Sequence, residues 1–334
     1  MMNNIAIVGF NNALAKNILE LMALRGYDKN NVKVFSSNVA KKTKVSFGDD
    51  ELAVDNIDDF DTSLFSAVIF TENDKIAAIY GNKFSQSNVR IINSTKAFEG
   101  DENIPMIVGG INEDKIASAD KNIINVPHPY VVEFLSAIAG LKQKYTIKRI
   151  TLNTYTSVDF EGQDGMSELY NQTRKILMND TASTSGLFHK TIAFNVIPQV
   201  SSFIGEETEV EWLYNSQIKQ VLGLNTKIHA NCAVVPVFVG QGVYANIEVE
   251  EEIDADEARE DIKKAKGVLV VDRQEDAGYI TINDVQGESS VFVSRIRQDI
   301  TVENGISLWI SGDAYKIAAQ NILALLKQFL KKEI

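Results

Sequence analysis

Hydrophobic and polar positions along the chain follow two regimes, and the change falls near Lys148. Before it, Asn4–Val8, Val32–Ser36, Ser66–Thr71, Val89–Asn93, Pro105–Gly109 and Lys121–Val126 are short, almost unbroken apolar runs separated by polar or helical segments. Strands apolar at every position must be covered on both faces, so residues 1–125 predict a parallel, Rossmann-like α/β domain of nucleotide-binding type. From Asn12 to Arg25 the apolar positions Leu14, Ile18, Leu21, Met22 and Leu24 keep near-helical spacing, and Gly26 offers a stop. After Lys148 the runs lengthen and alternate: RITLNTYTSV, KTIAFNVIPQV, KIHANCAVVPVFVGQGVYANIEVE, GVLVVD, SSVFVSRIRQD and ISLWISGD. Alternation marks strands with one covered face, as in an antiparallel or mixed sheet. Helices are predicted over Gly165–Met178, Thr208–Leu222 and Asp254–Ala265. A last amphipathic helix from Ala314 to Lys332 would pack back on the first domain. The reading is an α/β domain over 1–125, completed by 314–334, and an α+β domain over 126–313.

Composition narrows the functional classes. At 334 residues and 37.0 kDa the chain suits two domains, and 45% hydrophobic residues give each a core. A net charge of −12 argues against nucleic acid or an anionic membrane as partner. No apolar run approaches the roughly 20 residues that cross a bilayer. The opening MMNNIAIVGF reads as a first strand and not as a signal peptide. A single cysteine, Cys232, cannot form an intrachain disulfide and fits a reducing cytoplasm. His128, His189 and His229 show no metal-ligand spacing.

IINVPHPYVVE, residues 123–133, looks like the seat of a nucleophile: an apolar run ends where an apolar, helical segment begins. A helix N-terminus stabilises developing negative charge. Yet Pro127 and Pro129 flank His128, and no hydroxyl or thiol stands at the turn.

Several phrases, in order, resemble the aspartate-semialdehyde dehydrogenase family: KRITLNTY (148–155), IAFNVIP (192–198), VPVF.G (235–240), SVFVSRIRQD (290–299) and ENGISLW (303–309). The SS–AKK–FG pattern of 36–48 and NST.AF of 93–98 add to them. Within that family the chain is most similar to the Usg-type paralogues, which also lack the catalytic cysteine. The resemblance implies an N-terminal domain that binds NADP, a cysteine at a helix start that attacks the substrate, a histidine base, arginines for carboxylate and phosphate, and a second domain that forms a homodimer.

Position by position, the implied machinery is replaced. The cysteine of A-N-P-N-C-S-T falls on Pro129 and the histidine of R-V-P-V-F-N-G-H on Gln241, with Val234 at that motif's arginine. Proline has no attacking lone pair, and glutamine carries no proton near neutral pH. The auxiliary Gln of T-Y-Q is Thr156, the arginine of S-S-A-F-R is Glu99, and the Glu/Lys pair of E-E-x-K is Val210 and Leu213. In the cofactor loop Gly9 survives and Ala15 is a tolerated ending, but Asn12 puts a side chain where pyrophosphate meets backbone. Asn38 replaces the arginine implied for the 2′-phosphate, and Glu72 with Asn73-Asp74 stands at a Gly-Gly turn.

Bland readings stand beside the sharp ones. His229 and Cys232 are three apart in a strand and point to opposite faces, so Cys232 reads as a buried structural thiol. His128 reads as an exposed turn residue. Glu99 and Glu133, the latter in place of a family Gln, could hold a cationic ligand but read more simply as a solvated face. The expectation is a cytoplasmic homodimer that has lost the family reaction, binds NADP at most weakly and has a structural or regulatory role. A genuine dehydrogenase subunit is a further candidate partner. The alternatives are an active NAD(P)-dependent oxidoreductase acting on an aldehyde or acyl phosphate, and a small-ligand sensor.

Overall fold

The computed structural model describes residues 4–119, 121–181, 185–223 and 225–331. Met1–Asn3 and the predicted end of the last helix at Lys332 lie outside them. The chain divides into two compact units: one runs up to Val132 and resumes at Ala318, the other spans Glu133–Ile317. Both crossings fall inside helices, so the first unit takes in the start of the helix at Pro129, which the sequence reading assigned to the second domain.

In the first unit, seven strands form one sheet in the order β3-β4-β2-β1-β5-β6-β7, with β1 (Ile5–Val8), β2 (Val32–Ser36), β3 (Lys44–Phe47), β4 (Asp50–Asn56), β5 (Ala67–Phe70), β6 (Arg90–Asn93) and β7 (Ile123–Asn125). All neighbours are parallel except β3 and β4, an antiparallel edge hairpin that the apolar-run criterion missed because its few apolar residues are interrupted by charged and exposed ones. β1 and β5 are buried at all four positions, as a doubly covered parallel sheet requires. Helices α1 (Ala13–Leu24) and α2 (Asp74–Phe84) follow β1 and β5. Phe35, Phe60, Phe70 and Phe84 meet in an aromatic cluster, with Phe60 stacked on Phe84 at 4.3 Å. The predicted strand Pro105–Gly109 is not one: only Met106 bridges to Asn125.

The second unit holds a six-stranded mixed sheet, β11-β8-β12-β15-β14-β13. Its strands are β8 (Ile147–Thr156), β11 (Lys227–Val234), β12 (Gln241–Val249), β13 (Val268–Val270), β14 (Val291–Gln298) and β15 (Gly305–Gly312), and a short hairpin joins β9 (Phe203–Ile204) to β10 (Glu207–Thr208). β8 and β12 alternate buried with partly exposed positions, which leaves one face of the sheet open. The helices are α3 (Pro129–Ala137), whose N-terminal residues belong to the first unit, α4 (Ala139–Lys142), α5 (Gly162–Leu177), α6 (Glu209–Leu222), α7 (Ala255–Lys263) and the start of α8 (Ala314–Phe329), whose residues from Ala318 on belong to the first unit. α6 begins with a complete capping box between Thr208 and Glu211, and Asp254 caps α7. The predicted strand Lys190–Val200 is instead an irregular arm. Phe194 has φ +58°, and Ile197 alone pairs with Val234.

Candidate functional site

In the first unit the β1–α1 turn is closed by its own side chains. Gly9 has φ +105°, and its N–H donates to Phe35 O at 2.8 Å. A Cβ there would meet Thr71 Oγ1 and the Glu72 backbone at 2.7–2.9 Å, so packing alone demands glycine. Asn12 is the N-cap of α1: its Oδ1 accepts from the Ala15 N–H at 2.8 Å, and its Nδ2 donates to Thr71 O at 2.7 Å. The capping oxygen thus takes one of the amide donors that an unobstructed helix start offers to anions. Ala15 is fully buried in α1. Beyond β2, the Glu72 carboxylate accepts from the Ser37 N–H at 3.1 Å and from the Ser37 hydroxyl. Asn38 is exposed next to it. Asn73 caps α2 through the Ile76 N–H.

Pro129 is the first residue of α3, where a missing N–H costs nothing because no intrahelical acceptor exists. The residue before it is partly buried, not the exposed turn histidine expected: the His128 ring packs edge-on against Tyr130 at 4.7 Å, and its carbonyl accepts from the Val131 and Val132 N–H groups. Glu99 is half-buried in the turn after β6, its N–H donating to Lys96 O.

In the second unit Thr156, Gln241, Tyr214 and Glu133 form a buried polar cluster. Thr156 and Gln241 are Cα partners at the ends of β8 and β12. The Thr156 hydroxyl donates to Gln241 Oε1 at 3.3 Å, while Gln241 Nε2 donates to Tyr214 Oη at 2.8 Å and to Glu133 Oε2 at 3.3 Å. Burial raises the Tyr214 hydroxyl well above its ordinary value, helped by Cys232 and Glu133 nearby. Glu133 is 0% exposed, which overturns its reading as a solvated carboxylate. Burial, then Asp313 and Asp159, raises its pKa well above the usual carboxyl range. Asp159 is pushed up to about 7 by burial and Asp313, against the opposing hydrogen bond from Ser157.

The remaining predicted positions line this unit's interior. Val210 and Leu213 are buried on α6, and Val234 is the Cα partner of Thr156 across β11 and β8. Burial pushes the Cys232 thiol up to about 12, so it stays protonated. Its N–H donates to Glu211 Oε1 at 3.0 Å, which ties β11 to α6. Residue-type reasoning missed Tyr214, Asp159 and Asp313. Tyr214 occupies an ordinary apolar position of a helix, and the two aspartates are indistinguishable by type among 45 acidic residues. Among the described residues no group of His, Cys, Asp and Glu could hold a metal ion, and no helix is long and apolar enough to cross a membrane.

Known proteins share this organisation. Residues 4–119 match the semialdehyde dehydrogenase NAD binding domain, and residues 138–314 match the semialdehyde dehydrogenase dimerisation domain. The aspartate-semialdehyde dehydrogenase of Rickettsia bellii is 31% identical across 98% of both chains. Aspartate-semialdehyde dehydrogenase 2 of Vibrio cholerae is 28% identical across 96% of both. The crystal structure of aspartate semialdehyde dehydrogenase II from Vibrio cholerae aligns with a TM-score of 0.91 at 27% identity over 99% of each chain. With both domains matched in order and full-length relatives at this identity, the chain belongs to the aspartate-semialdehyde dehydrogenase family.

Proposed function

We propose that this protein is a catalytically degenerate member of its family, of the Usg type, that acts as a structural or regulatory homodimer in the cytoplasm. The observation that carries the reading is Pro129 at the first position of α3, where the resemblance implies the nucleophile. Gln241, at the position implied for the base, is buried and held on three sides by Thr156, Tyr214 and Glu133. Loss of nucleophile and base together removes many powers of ten in rate, since such groups act as a unit. Val210, Leu213 and Val234 supply no charge for an anionic substrate, and Glu99 supplies the wrong one. A genuine dehydrogenase subunit is the partner a retained dimerisation domain would suit, alongside a second copy of this chain.

At the turn from Gly9 to Ala15 the Asn12 oxygen already takes the Ala15 N–H, and Glu72 already accepts from Ser37, which supports a poor fit for a dinucleotide. NADP binding is therefore proposed to be weak. The competing reading, an NAD(P)-dependent oxidoreductase acting on an aldehyde or acyl phosphate, draws on the match of residues 4–119 to an NAD binding domain. Purified protein given aspartate semialdehyde, phosphate and NADP, with reduced cofactor followed by absorbance, separates the two. We expect no turnover above that of a protein-free control. Steady turnover that co-purifies with the protein would establish the oxidoreductase reading.

A further inference from the structure

Gln241 is the Cα partner of Thr156 on one side and of Gly312 on the other, so three strand ends stand side by side. The Glu133 carboxyl lies over this row: a Cβ on Gly312 would stand 3.0 Å from Glu133 Oε1 and 2.5 Å from Ile317 Cδ1. Gly312 does not adopt the left-handed conformation that calls for glycine elsewhere in the chain. Space for Glu133 and Ile317 accounts for it.

Glu133 Oε2 accepts one hydrogen bond from Gln241, whereas the buried Oε1 has no hydrogen-bond partner. An ionised carboxylate there would lack the donors that a buried charge requires. The charges that act on it are of its own sign, Asp313 from the start of α8 and Asp159 from the turn after β8. Asp313 accepts from the Gly287 and Lys316 N–H groups at 3.1 and 3.2 Å, and Asp159 accepts from the Ser157 hydroxyl at 2.5 Å. Tyr214 from α6 and Cys232 from β11 complete the titratable surroundings, both neutral at physiological pH.

We propose that Glu133, Asp159 and Asp313 form a proton-operated latch: protonated Glu133 holds α3 over the ends of β12 and β15, and loss of its proton loosens that hold. The device responds to pH without a ligand, and it rests on the buried carboxyl cluster and not on the absence of the family reaction.

The sign follows from linkage. Carboxyls raised in the folded state keep protons that the unfolded chain has released. Their stabilisation is complete below about pH 4 and is lost as pH rises towards the folded values, which for Asp159 is about 7.

Thermal unfolding of the full-length protein from about pH 5 to about pH 9 tests this. The wild-type midpoint should fall by roughly 2 °C or more, as losing more than one pKa unit of linkage implies for a chain of this size. Glu133→Gln, an uncharged isostere, should give a shallower fall and a higher midpoint at the alkaline end. Asp159→Asn leaves Glu133 in place and should flatten the part of the curve below about pH 7. Infrared spectra at neutral pH should show a protonated-carboxyl C=O band that Glu133→Gln weakens, the remainder coming from Asp159. A wild-type midpoint independent of pH, variant curves parallel to wild type, or no such band would overturn the latch.

Discussion

Asn12 serves two purposes with one side chain, and this sets the terms for the cofactor turn. Its oxygen caps α1 and its amide nitrogen holds Thr71 O, so both polar ends of the side chain are engaged within the turn. Replacement of a capping Asn by Gly costs only a few tenths of a kcal/mol in helix stability, because the exposed N–H groups return to water. The lost amide hydrogen bond adds about 1 kcal/mol. Asn12→Gly should therefore fold, melt only a few degrees lower, and bind NADP at least tenfold more tightly than wild type by calorimetry. Equal affinity in the two proteins would show that Asn12 is not what obstructs the turn.

In the first unit, the strands that apolar runs revealed are buried at nearly every position, and the edge hairpin they missed is not. β1, β5 and β7 are buried at every position, so an apolar run identified each of them. Lys190–Val200 is also rich in apolar residues, but Phe194 turns to φ +58° and is 67% exposed, so the run is no strand. The hairpin of β3 and β4 carries the opposite mismatch, a paired edge whose apolar residues are interrupted by charged and exposed ones, around Gly48 at φ +59°. At the candidate site, Pro129 and Gln241 were singled out only because the resemblance assigns roles to those two motif positions. The burial of Glu133 was not legible, because a carboxylate in an apolar helix reads as an exposed face until Gly312 shows the space made for it. Gly9 was legible as a cofactor glycine, yet its role in the fold is close packing against Thr71 and Glu72. Gly9→Ala should then destabilise the protein by roughly 2–4 kcal/mol through overlap and the φ of +105°, with or without NADP. A midpoint unchanged from wild type in denaturant titration would refute that packing role.

The second unit's sheet carries three partly exposed aromatic residues on one face, which is the expected seat of association. Tyr155, Tyr244 and Trp309 cluster on it, with Tyr244 and Trp309 centred 4.8 Å apart. Beside them opens a cavity of 490 Å³ lined by Tyr279, Ile280 and Arg295. Partly exposed aromatic patches are normally covered in association, and residues 138–314 match a dimerisation domain. A two-fold interface uses the same patch on both copies, so one substitution alters it twice. Light scattering at micromolar concentration should report twice 37.0 kDa. Tyr244→Glu places two carboxylates in the buried centre of such an interface, and truncating a central aromatic anchor alone costs about 2 kcal/mol or more. The variant should therefore dissociate at least thirtyfold more readily, a factor that corresponds to about 2 kcal/mol. Each copy carries a net charge of −12, so added salt should tighten the wild-type dimer by screening the repulsion between copies. A single 37.0 kDa species at every salt concentration, or a Tyr244→Glu chain as dimeric as wild type, would place the association elsewhere or exclude it.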